Sequence, residues 1–225
     1  MNKVSQTIYA CLMVILICSC TSRPVPVWKT ASVTHLEHFK TSYLTGDDTR
    51  ASRAFSRAVA EIKTSGNITV LARAYLIQCA VKTAALETSL CSNYKQLVAH
   101  TSDVADRNFS LFLQSNLDHV SADVLPGRYR PFFHALREGS IEDINATIGT
   151  IADPLSRLIA SGVSVAKRRY DLVTLQRAAE TASEQGWKRA LVAYLEQMKR
   201  LYERTGESIK ADKLQQQITI ITNND

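Results

Sequence analysis

The sequence predicts an all-α protein built from antiparallel helical hairpins, and three observations carry that prediction. Apolar residues beyond position 29 recur with a 3.6-residue period, and no stretch shows two-residue alternation bounded by turn residues. Five of the eight glycines, Gly46, Gly66, Gly139, Gly186 and Gly206, fall where these stripes stop, the place where glycine tolerates the left-handed backbone that closes a helix. The connections between stripes are short, which makes successive helices antiparallel neighbours. At 225 residues, 45% hydrophobic and 21% charged, the composition is that of a globular protein and excludes disordered and fibrous classes. Only one apolar run stands clear of its surroundings, which excludes a multi-span membrane protein. An irregular helical bundle is the alternative arrangement of the same helices.

In chain order, Leu36, Phe39, Tyr43 and Leu44 form one stripe closed by Gly46. Asp47 or Asp48 can cap the next helix, in which Ala51, Ala54, Phe55, Ala58, Val59 and Ile62 share a face before Gly66. Val70 to Leu86 is long and strongly apolar, with Leu71, Ala74, Tyr75, Cys79 and Ala80 among its core positions, as befits a central helix. Between 90 and 125 the pattern weakens: Tyr94, Leu97 and Val98 suggest one helix, Phe109, Phe112 and Leu113 another, and Pro126-Gly127 marks a loop. A new hairpin starts at Pro131, with Phe132, Phe133 and Leu136 ending at Gly139, followed by Ile141, Ile144 and Ile148. Asp153-Pro154 reads as an N-cap followed by proline at the first helical position, where its missing N–H has no intrahelical role. Further helices run from about Leu172 to Ser183, from Trp187 to Arg204 and from Ser208 to Ile221.

The first residues follow a different logic. Lys3 supplies a positive charge, Ile8 to Ile17 is a short apolar run, and polar Ser5, Gln6, Thr7 and Ser19 bound it. Ten helical residues reach about 15 Å, half of a bilayer hydrocarbon core, so the run is too short to span. Ile17-Cys18-Ser19-Cys20 resembles the lipobox of bacterial lipoproteins. The resemblance implies a signal peptide over 1–19 and, at Cys20, a thiol carrying diacylglycerol, with further acylation (palmitate among the acyl groups) on the new amine. The bilayer is then the first partner, since two or more chains anchor stably where one does not. Thr21, where an Asp favours inner-membrane retention in enterobacterial lipoproteins, points to the outer membrane, facing the periplasm. Residues 20–29, with Pro24 and Pro26 among valines, read as an extended lipidated tether, with Trp28 docking where it meets the domain. Residues 30–225 form one helical domain, with a possible sub-boundary near 126–131.

Removing residues 1–19 takes away one Lys and no acid, leaving 26 basic against 21 acidic residues. That excess is too small and too dispersed for nucleic acid, which export also disfavours. The cysteines are redistributed likewise: Cys11 and Cys18 go with the signal, Cys20 takes lipid, and Cys79 and Cys91 remain. Two thiols in an oxidising compartment suggest a disulfide, provided the chain turns back between them; two buried free thiols are the other reading.

Two windows resemble tetratricopeptide repeats: Gly46-Asp47 with Ala51, Ala54-Phe55 and Ala58-Val59, and Leu195, Met198, Tyr202, Gly206, Ala211 and Ile218. The pattern places Ala where two helices cross, large side chains where the next pair stacks, and Gly at the turn. Phe39 departs from it, as does the whole of 90–130. The resemblance implies a right-handed stack of hairpins with a concave groove for peptides or protein segments. In the second window Glu196, Arg200, Glu203 and Arg204 would face that groove or its rim; surface ion pairing between Glu196 and Arg200 is the simpler reading of each.

Catalytic signatures are absent. His35-Leu36-Glu37-His38 spaces two imidazoles three apart without the zincin pattern or a third ligand, so two solvated histidines are expected and no metal; His100, His119 and His134 are isolated. No serine sits in a Gly-x-Ser-x-Gly elbow, and no glycine-rich phosphate loop or cofactor motif occurs. Asp47-Asp48 and Glu142-Asp143 lie at expected helix starts and read as caps. Arg128, Arg130 and Arg137, and the run Lys167-Arg168-Arg169, are the basic clusters, solvated faces or an anionic-partner patch. The expected function is a lipid-anchored, non-catalytic scaffold or adaptor binding envelope proteins or peptides, without a cofactor. An α-helical periplasmic lipoprotein binding a small molecule or glycan fragment is the alternative.

Overall fold

A computed structural model describes residues 25–87 and 91–223. The signal segment, Cys20 and most of the tether lie outside the described residues. Within them the protein is all-helical, with eleven α-helices, three 3-10 turns and no strand. The helices are α1 (Val27–Thr45), α2 (Asp48–Thr64), α3 (Ile68–Ala84), α4 (Ser92–Val98), α5 (Val104–Leu113), α6 (Arg130–Glu138), α7 (Ile141–Gly149), α8 (Pro154–Ala166), α9 (Leu172–Glu184), α10 (Lys188–Arg204) and α11 (Ser208–Thr222). None is long and apolar enough to cross a membrane.

Local chemistry accounts for the helix ends. Asp47, Asn67, Asp103, Asp153 and Asp171 cap α2, α3, α5, α8 and α9 by accepting the backbone N–H three residues on. Such caps occupy donors that the first turn leaves free. Ser140 and Asp143 form a reciprocal capping box at α7, and Asp47 likewise acts as a cap, so both acidic pairs have structural duties. Gly46, Gly66, Gly186 and Gly206 follow their helices with positive φ. Gly139 differs: its backbone is extended (φ −83°, ψ −179°), and a Cβ there would lie 3.0 Å from the Ala135 carbonyl oxygen and 3.1 Å from Asp143 Cβ. Glycine is needed at this point for close approach, not for handedness.

Two boundaries depart from the sequence expectation. Residues 27–29, expected in the extended tether, begin α1, because Pro26 restrains only the residue before it while its carbonyl accepts the first helical bond, from Lys29 at 2.9 Å. Trp28 is therefore a half-buried residue of the first turn. The region 117–129, expected around a Pro-Gly loop, contains three successive 3-10 turns, at Leu117–His119, Ala122–Val124 and Gly127–Tyr129. Arg130 closes it by donating to the carbonyls of Leu125 (2.9 Å) and Asp123 (2.8 Å). Tyr129 stacks among Phe109 and Phe112, while Phe132 meets Phe112 edge-on at 6.1 Å, so residues on both sides of 126–131 share one core.

Packing is of two kinds. The sequence-adjacent pairs α1–α2, α9–α10 and α10–α11 lie against each other as hairpins. Ala51, Ala54, Phe55, Ala58 and Val59 are buried in the first, and Leu195, Met198, Ala211 and Ile218 in the last. The other contacts join distant parts of the chain: α3 packs on α8, and α1 on α10. α3 also touches α1, α2, α4 and α5, so it is the central helix of the molecule. At the α3–α8 crossing Gly162, inside α8, lies so close to Thr83 that a Cβ would fall 2.1 Å from the Thr83 carbonyl oxygen. Only a residue without a side chain permits that approach.

Candidate functional site

An extended concave surface follows one face of α10. Its helix presents two adjacent stripes. Ala190, Tyr194, Leu195 and Met198 are buried, and the fully buried Tyr194 donates its hydroxyl to the Leu158 carbonyl at 3.1 Å, which fixes α10 on α8. The neighbouring stripe, Arg189, Val192, Ala193, Glu196, Gln197, Arg200, Leu201 and Arg204, faces an open groove.

The groove has two connected parts sharing Val165, Gln197 and Arg200. The inner part, about 670 Å³, is walled by Leu86 and Glu87 after α3, Leu113 and Gln114 ending α5, and Gly162 and Val165 of α8. The outer part, about 810 Å³, is bounded by Arg168, Tyr170, Glu203 and Arg204. The four residues that the repeat resemblance would place at a groove or its rim, Glu196, Arg200, Glu203 and Arg204, line this surface. Three of them also carry local ion pairs, Glu196 with Arg200 at 3.6 Å and Glu203 with Lys199 at 3.7 Å. The opposite wall is not the first helix of a neighbouring hairpin; it is assembled from the ends of α3, α5 and α8.

Arg189 locks that wall to α10. Its guanidinium binds Asp48 at the start of α2, donates to Glu87 at 3.2 Å, and lies 4.4 Å above the centre of the Tyr43 ring. Burial opposes its charge, but the two carboxylates more than offset this and hold its pKa above the ordinary arginine value. The buried Tyr43 hydroxyl also has its pKa raised, first by burial and then by Glu87. The segment carrying Glu87 is also tied covalently: Cys79 and Cys91 form a disulfide across 5.4 Å between Cα atoms, closing the chain over the groove-wall residues Thr83 to Glu87.

At the outer end Tyr170 accepts hydrogen bonds from Gln197 Nε2 (2.5 Å) and Arg204 (3.3 Å). Arg168, with φ +59°, closes α8 by donating its backbone N–H to Val165. The other basic residues singled out in the sequence do structural work. Arg169 donates to the carbonyls of Leu136 and Gly139, Arg128 to Ser156, and Arg137 lies over Phe133.

The histidines do not converge. His35 is half-buried and His38 exposed on α1, and no group of three or more His, Cys, Asp or Glu able to hold a metal occurs among the described residues. Sequence reasoning missed Gly162, Arg189 and Tyr170. A glycine inside an apolar helical stretch was the available signal for the first; Arg189 and Tyr170 carry none, because their partners are far away in the chain. No protein-family model, curated protein or solved structure matches the chain.

Proposed function

We propose that this protein is a bacterial envelope lipoprotein, anchored through Cys20, whose helical domain is a non-catalytic scaffold or adaptor binding an extended segment of another protein along α10. The observation that carries the reading is the groove itself. From Arg189 to Arg204 the α10 stripe covers about 22 Å at the helical rise, enough for six or seven residues of extended chain. It combines apolar positions with polar and charged rims, the arrangement expected of a segment-binding surface. The hairpins at both ends of the domain, with buried alanines at their crossings and glycines at their turns, support a tetratricopeptide-like pairing of helices at each end. Cell-envelope location rests on the sequence features of residues 1–20.

A photo-activatable cross-linker at Glu196, compared in intact cells with one at Glu180 on α9, tests the groove. The same envelope protein captured from Glu196 and not from Glu180, and lost in Val192→Asp, is the expected outcome. Equal capture from both positions overturns it. Labelled palmitate should enter the chain and fail to enter Cys20→Ala, which should leave the membrane fraction; a variant equally membrane-bound overturns the anchor.

A further inference from the structure

The charges lining the groove are unevenly neutralised. At the inner end Arg189 is matched by Asp48 and Glu87, and along the helix Arg200 is matched by Glu196. Glu203, the carboxylate at the outer end, is matched by Lys199. Arg168 and Arg204 are both exposed there and have no carboxylate partner among the described residues. Tyr170 lines the same end. Its hydroxyl oxygen already accepts two hydrogen bonds, so its single proton remains to be donated outward. Arg168 also occupies a backbone conformation in which glycine would be at ease and a larger residue is strained.

Resting on the groove reading above, we propose that this outer end is a carboxylate-binding subsite, and that the bound segment carries an acidic side chain there with an apolar residue in the inner part. Two guanidinium groups and a hydroxyl donor match a carboxylate in charge and in hydrogen-bonding direction. The apolar counterpart is formed by Leu86, Leu113, Val165 and Val192. The spacing follows from the helix: Val192 and Arg204 are about 18 Å apart along α10, the length of about five extended residues. The carboxyl end of α8 also points toward the subsite and by itself would repel an anion. Its last carbonyls are engaged by the N–H groups of Arg168 and Arg169, and about half a charge at a helix end is outweighed by two full cations.

The test is selection of a randomised seven-residue display library on the full chain in detergent, then affinity measurement with the enriched peptides. Expected is enrichment of Asp or Glu about five positions from an apolar residue, with binding that weakens as salt rises. Arg168→Gly, which removes the side chain while relieving the backbone, and Tyr170→Phe should each weaken those peptides, the former about tenfold. Arg204→Ala should act in the same direction. Peptides that bind the groove with no acidic preference, or bind Arg168→Gly and Arg204→Ala unchanged, overturn the carboxylate subsite and leave the groove reading standing. A library from which nothing is enriched overturns both.

Discussion

The two walls of the groove are built in opposite ways. One is a single helix, α10, seventeen residues long, whose buried and groove-facing stripes repeat at helical spacing. The other has no helix of its own: Leu86, Leu113 and Val165 come from the ends of α3, α5 and α8. The first wall exists as soon as α10 folds and docks. The second exists only while three helix ends are held together by a close backbone crossing, a disulfide and one arginine. Substitutions in the α10 stripe beyond Arg189 should therefore alter what the groove recognises with little cost in stability. Substitutions in the ties should cost stability and dismantle the groove with it.

The largest effect is expected at the crossing. In Gly162→Ala a new methyl group would fall on the Thr83 carbonyl oxygen, a backbone atom that cannot swing away. The variant should lose about 3 kcal/mol, read as a lower urea midpoint at unchanged slope, and no side-chain change at Thr83 should rescue it. Gly149→Ala is the contrast. Its Cβ would meet only the end of the Arg177 side chain, at 3.4 Å, so stability should change by less than about 1 kcal/mol. Equal losses in the two variants would deny the crossing its special role.

The covalent tie comes next. Replacing Cys79 and Cys91 together by Ala opens a loop of sequence separation 12 and should cost roughly 2–3 kcal/mol by chain entropy. Wild-type protein unfolded under reducing conditions should lose a similar amount. A loss that appears in the double variant but not on reduction would mean that packing of the two buried sulfurs, and not the bond, matters. Arg189→Ala should follow at about 1–2 kcal/mol, for loss of one half-buried guanidinium from two carboxylates and the face of Tyr43. Arg189→Lys should recover less than half of it, since an ammonium cannot reach both carboxylates while covering the ring. Arg200→Ala, on the α10 wall, should stay within about 0.5 kcal/mol.

The same contrast governs how much was legible in the sequence. The α10 stripe and its glycine stop at Gly206 follow from a periodicity contained within twenty residues. So do the caps at Asp47 and Asp153. The rim positions of Glu196, Arg200, Glu203 and Arg204 come only from the repeat resemblance. The opposite wall depends on pairs such as Gly162 with Thr83, Arg189 with Glu87 and Arg204 with Tyr170, each separated by more than thirty residues. No local pattern encodes such pairs. The 3-10 turns around Tyr129 were obscure for a related reason. Leu117, Val120 and Leu125 are each buried at a spacing that would suit one helix face, yet the segment is a series of short 3-10 turns whose order comes from the aromatic core and from Arg130 binding back to Leu125.

The pH-dependent effect concerns Asp171, which follows the groove residue Tyr170 directly in the chain. Its carboxylate accepts the Thr174 N–H at 2.9 Å and the Asn145 side-chain amide at 3.0 Å, joining α9 to α7. Burial alone would raise its pKa. The bonds from Thr174 and Asn145 outweigh burial and hold it below the ordinary value of 3.8. A carboxyl depressed on folding contributes stability above its unfolded pKa and loses that contribution as pH falls through the folded one. Asp171→Asn keeps an oxygen for the cap but removes the charge, so it should cost about 1 kcal/mol at neutral pH. The gap between wild type and variant should stay constant down to the ordinary carboxylate range and close below it. A gap that widened on acidification would show that the neutral form is the one the fold prefers, and Asp171 would then hold α9 by its shape and not by its charge.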